Sequence, residues 1–105
     1  MDWNSPEKQR LVSALLCLKD AGTLCAFLRD LLTEGEIEEF ARRFQAAEML
    51  SRKVPYSMIE KETGFSSTTV ARVSKWLNGP GGGYRSVLPS PSHHTSLQLR
   101  RGVSL

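Results

Sequence analysis

Ser66, Ser67, Thr68 and Thr69 form an unbroken run of small hydroxyl side chains, followed by Arg72 and Lys75, and no acidic residue lies between Gly64 and Asn78. Hydroxyls of this size can donate to phosphate oxygens, touch base edges or rest against a thymine methyl. A guanidinium can meet the paired acceptors of a guanine, and an ammonium group neutralises phosphate charge. Recognition of a duplex polyanion is the chemistry these residue types offer. On a helix, Thr68 and Arg72 lie one turn apart and Lys75 follows on the same side, while Val70, Val73 and Leu77 recur at the spacing of a buried stripe. Ser66 has a second claim, as the N-cap of that helix.

Two helices crossing through a tight turn would hold this side outward, so a helix-turn-helix is expected over about residues 57–77. Gly64 supplies the residue at ease with a positive φ, and Phe65 the apolar plug after it. Val70 and Val73 would face Ile59 across the turn, and the second helix would run over 66–77. The first would start at Ser57, with Ser57 and Glu60 as a capping box. Glu60 stands where many such motifs carry a small residue and is expected to point outward.

The remaining chain reads as helices that support this pair. Ser5-Pro6-Glu7 opens the first, whose Leu11, Val12, Leu15, Leu16 and Leu18 spread over more than one stripe. An interruption is expected at Ala21-Gly22-Thr23, before a second amphipathic helix with Leu24, Phe27, Leu28 and Leu31. Thr33 and Glu36 form a capping box for a third helix, to about Ser51, with Ile37, Phe40, Ala41, Phe44 and Ala47 as its expected buried face. Val54-Pro55 stops it. The Asn78–Gly83 segment ends regular structure, with a brief restart at Tyr84. Residues 1–88 read as one domain and 89–105, rich in Pro, Ser, His and Arg, as a flexible tail.

The chain carries a formal net charge of +3. Its first 54 residues hold nine acids and eight bases, the remainder two acids and six bases, so the positive excess lies in the second half. No apolar run reaches the ~18 residues of a membrane span. The amino terminus has neither the basic nor the apolar part of a secretory signal, so a cytoplasmic location is expected. Cys17 and Cys25, set among leucines, are expected to be reduced and buried. Catalysis has no seat: Glu36, Glu38 and Glu39 are helix-start acids, His93-His94 fall in the tail, and Gly79–Gly83 lacks the Lys-Ser/Thr of a phosphate loop. Neither an enzyme nor a metal site is expected.

The residues Leu31-Leu32-Thr33-Glu34-Gly35-Glu36 with Arg42-Arg43, then Tyr56-Ser57-Met58-Ile59, Thr63 through Ser74 and Leu77-Asn78 together resemble the tryptophan-repressor (Trp repressor) superfamily. The ending through Gly82-Gly83-Tyr84 is closest to its repressor-related YerC/YecD group. The resemblance implies an all-α, Trp-repressor-like domain in an intertwined homodimer, with first helices wrapped around the partner and two reading heads one DNA turn apart. Residues flanking the tryptophan corepressor of the family's repressor match Thr33, Arg43 and Arg72. Val73 replaces the glycine against which that ligand packs, and Trp76 replaces a serine at the pocket edge. No cofactor is therefore expected, with the Trp76 indole filling the narrowed slot and holding the reading heads in place.

The expected function is a sequence-specific, DNA-binding transcriptional regulator, a repressor, contacting double-stranded DNA through Ser66, Ser67, Thr68, Thr69, Arg72 and Lys75. The alternative is a helical interaction or dimerisation module without DNA binding. Salt separates the two, because phosphate contacts weaken steeply with ionic strength and apolar docking does not.

Overall fold

A computed structural model describes residues 1–89; the expected tail, with His93 and His94, lies outside these residues except for Pro89. All regular structure among them is helical: α1 (Pro6–Cys17), α2 (Ala21–Leu31), α3 (Glu34–Ser51), α4 (Tyr56–Thr63), α5 (Ser67–Leu77) and α6 (Gly83–Val87). The chain divides into two compact units, the first Met1–Glu39 and the second beginning at Phe40.

In the first unit, α1 begins as its sequence suggests. Ser5 accepts from the Lys8 amide at 3.3 Å and Pro6 occupies the first helical position. The interruption falls earlier than Ala21-Gly22-Thr23: α1 stops at Cys17, and those three residues are the first turn of α2. Asp20 is the reason. Its carboxylate accepts from the Thr23 amide at 2.8 Å and from the Thr23 hydroxyl at 2.9 Å, and this cap offsets the helix cost of Gly22. These bonds to Thr23, amide first, hold the Asp20 carboxyl below its ordinary pKa of 3.8. At α3 the expected capping box is present, the Thr33 amide donating to Glu36 at 2.9 Å and the Glu36 amide to the Thr33 hydroxyl at 3.1 Å.

Neither α1 nor α2 has a buried residue. Leu11, Leu15, Leu24 and Leu31 are exposed, as is Leu16 at 78%. Cys17 and Cys25 are free thiols, but exposed rather than buried. The adjoining Leu16 and Leu24 are exposed as well, so being among leucines confers no burial.

The second unit holds the core: Ala46, Ala47, Met49, Ile59, Val70 and Val73, with Leu50, Val54, Phe65, Tyr84 and Leu88 packed against it. Of the face expected for α3 only Ala47 is buried; Phe40 and Ala41 are exposed, and Ile37 and Phe44 half-buried. The core engages only the last turns of α3, where Ala46, Ala47 and Met49 project. That helix ends in a Schellman arrangement, the Val54 amide donating to Met49 O and the Lys53 amide to Leu50 O, each at 3.0 Å, with Lys53 at φ 64°. The expected Ser57–Glu60 capping box does not form. Helix α4 begins one residue earlier, at Tyr56, with Pro55 at the N-cap and no side-chain cap bond, because proline there already fixes a φ suited to helix entry.

Candidate nucleic-acid interface

Residues 64–66 turn the chain between α4 and α5, and each does a separate job. Gly64 adopts φ 78° and its amide donates to Glu60 O at 2.8 Å, closing α4 in the left-handed conformation that disfavours a side chain. Phe65 lies half-buried against the core, as the apolar plug should. Ser66 caps α5, accepting from the Thr69 amide at 3.2 Å and donating to the Thr69 hydroxyl at the same distance. Thr63 also acts here, although its sequence context did not single it out. Its buried hydroxyl donates to Ile59 O at 2.7 Å and accepts from the Phe65 amide at 3.2 Å, tying the end of α4 to the turn. A threonine directly before a helix-ending glycine was the available signal.

With the turn held this way, α5 has two distinct sides. Val70, Val73 and Leu77 are buried, and Ile59 of α4, fully buried, belongs with both valines to the core. Ser67, Thr68, Arg72 and Lys75 are exposed on the other side. The helical period requires this division: three residues sharing one stripe at 70, 73 and 77 put 68, 72 and 75 roughly opposite. The hydroxyls of Ser66 and Thr69 are engaged with one another in the cap, and Thr69 is half-buried, so Ser67, Thr68, Arg72 and Lys75 make up the open face. Glu60 is half-buried rather than fully outward.

The residues matched to a ligand pocket each have a local setting of their own. Thr33 belongs to the first unit and uses its hydroxyl in the α3 cap. Arg43 lies over the Phe40 ring, 5.4 Å from its centroid. Arg72 and Trp76 line an open depression on α5 with Thr68, Ala71 and Lys75. Trp76, expected to fill a narrowed slot, has a side chain that is 66% exposed in the single chain. One turn beyond Arg72, it falls beside the outward stripe rather than on the 70–73–77 line. Val73, by contrast, is buried in the core, so the space behind α5 at this position is filled by the chain's own side chain.

Arg85 is a further residue that its sequence context did not reveal. From α6 its guanidinium donates to Leu77 O at 2.6 Å and Gly79 O at 2.8 Å, satisfying carbonyls at the end of α5. Among the described residues there is no cluster of His, Cys, Asp and Glu able to hold a metal, and no helix long and apolar enough to cross a membrane.

Three comparisons agree with this architecture. The family model "Trp repressor protein" matches residues 7–91. The Uncharacterized protein YerC of Bacillus subtilis is 38% identical over 82 residues, 78% of this chain and 79% of that protein. A TrpR-like protein from Eubacterium eligens, known from a crystal structure, superposes with a TM-score of 0.77 at 34% identity, covering 81% of this chain and 88% of the other. An all-helical chain, matched by that family model along most of its length and by a TrpR-like structure in three dimensions, belongs to the Trp repressor family.

Proposed function

We propose that this protein is a sequence-specific DNA-binding transcriptional regulator, a repressor without enzymatic activity, that works in the cytoplasm as a homodimer and reads DNA with a helix-turn-helix made of α4 and α5. The observation that carries the reading is the two-sidedness of α5: buried through Val70, Val73 and Leu77, open and free of acids through Ser67, Thr68, Arg72 and Lys75. A helix anchored from behind and presenting small hydroxyls at its N-terminal end suits insertion into a major groove, where those residues meet base edges first. Arg72 then supplies a base or phosphate contact and Lys75 a phosphate contact, while Ser66 and Thr69 act chiefly as the cap that keeps the entry turn helical. Family membership supports a regulator of this kind.

The homodimer is supported by the first unit. Its two amphipathic helices have no fully buried residue in the single chain, and the leucine surface they leave open is what a second subunit would cover. Reading without a tryptophan corepressor is supported by Val73, whose side chain is part of the core.

Selection of bound fragments from a random-sequence duplex pool tests the proposal. The protein should enrich a related set of duplexes, retention should fall steeply with salt, and free tryptophan should leave affinity unchanged. Arg72→Ala with Lys75→Ala should abolish retention and leave the dimer mass intact. Failure to retain any duplex at low salt would overturn the DNA reading, and loss of the dimer in the double variant would point to an interaction module instead.

A further inference from the structure

Trp76 is the largest exposed side chain on α5, and no cap or core contact accounts for it. Two-thirds of its surface is open, and it lines one shallow depression with Thr68, Arg72 and Lys75. Among the described residues its indole N–H has no hydrogen-bond partner. A lone exposed aromatic on a surface is ordinary. An exposed indole flanked by a guanidinium and an ammonium group, on a helix face free of carboxylates, is suited to a polyanion that also has apolar surface. The backbone of a nucleic-acid duplex has that character: deoxyribose faces for the ring, and phosphate oxygens for the N–H and both cations.

Resting on the DNA-binding reading above, we propose that Trp76 is a DNA-contacting residue that lays its indole on the sugar–phosphate backbone at the rim of the groove entered by α5. The axial rise along the helix places it there. Trp76 follows Thr68 by eight residues, about 12 Å along the axis at roughly 1.5 Å per residue, and the major groove is only about 8.5 Å deep. With Ser67 and Thr68 leading, Trp76 arrives level with the backbone rather than the base edges. Its contribution is largely apolar and uncharged, so it adds affinity without releasing counterions. Arg72 and Lys75 release them.

The test uses the full chain with Trp3→Phe, which leaves Trp76 as the sole indole and retains the backbone carbonyl of residue 3 that accepts from Gln9. The probe is the duplex recovered most strongly from the random-sequence pool. Saturating duplex should quench or shift the Trp76 emission. Trp76→Ala should lower affinity about tenfold, as expected for removing a partly buried aromatic contact, with the slope of log affinity against log salt unchanged. Lys75→Ala should reduce that slope by about one phosphate's worth. An emission that ignores bound duplex overturns the proposal, and so does an affinity that Trp76→Ala leaves intact or a salt slope that it lowers. If the parent retains duplex and Trp76 is silent, only this inference falls; if the parent retains none, the DNA reading falls first.

Discussion

The Arg85 guanidinium lies 2.6 Å from the carbonyl oxygen of Leu77, eight residues earlier, and closes the C-terminal end of α5 from α6. A second bond from the same nitrogen to Gly79 O makes the short last helix a clamp on the helix that presents Thr68 and Arg72. The positive group also sits where the helix dipole is negative. Hydrogen bonds to charged groups contribute about 1.5–3 kcal/mol when shielded, and solvent screening at this exposed arginine brings the expected cost of Arg85→Ala to about 1 kcal/mol. A denaturation midpoint measured in urea checks it. Arg85→Lys, whose single ammonium nitrogen could also donate to both carbonyls but is carried on a shorter side chain, should recover part of the loss.

Two left-handed residues make opposite predictions. Gly64 sits at φ 78° with open space where a Cβ would go, so Gly64→Ala costs only conformational strain, about 1–2 kcal/mol. Gly64→Asn should cost less, because asparagine tolerates this region. Lys53 adopts φ 64° at the end of α3, and Lys53→Gly should stabilise the fold by up to about 1 kcal/mol. Thermal unfolding of the three variants gives the signs directly.

Thr68→Asp separates stability from binding. Thr68 lies in the first turn of α5, where a carboxylate suits the helix dipole, so stability should rise by roughly 0.3 kcal/mol or more. The same carboxylate faces outward beside Arg72 and Lys75. Duplex affinity should therefore fall by at least about tenfold in low salt, through repulsion from phosphate. A protein that melts higher and binds less is the expected outcome; equal binding would remove Thr68 from the interface.

Acid should erase the benefit of the α2 cap. The Asp20 carboxyl is held below its ordinary pKa of 3.8 by its bonds to Thr23, so folding favours the ionised form. That contribution is fully present above 3.8 and is lost as pH falls through the lowered folded value. Asp20→Ala should therefore melt below the parent at neutral pH, and the gap between the two melting temperatures should narrow as pH drops below about 4. A gap that stays constant from pH 7 down to pH 2 would mean that the charge contributes nothing.

Local signals along the chain carried most of the site. The Gly64 turn, the Ser66 cap, the Thr33–Glu36 box and the division of α5 between Val70–Val73–Leu77 and Thr68–Arg72–Lys75 depend on residues within about two helical turns of one another, so type and spacing were enough. The same local logic misplaced the start of α2 and of α4, where Asp20 and Pro55 outranked Gly22 and Ser57. At α2 a strong carboxylate cap overrode a helix-disfavouring glycine, and at α4 the chain enters the helix directly after Pro55 with no side-chain cap.

What only the tertiary structure decided is which apolar surface finds a partner. Phe40, Leu16, Cys17 and Trp76 look as fit for a core as Ala46 and Met49 do, yet they stand open while the latter are buried. Helical periodicity says that a side chain lies on an apolar face. It does not say whether another element arrives to cover that face, because this depends on contacts between residues far apart in the chain. The bonds from Arg85 to the end of α5 are of the same kind: an arginine in a glycine-rich segment has no local pattern, and its partners appear only when α6 folds back on the helix before it.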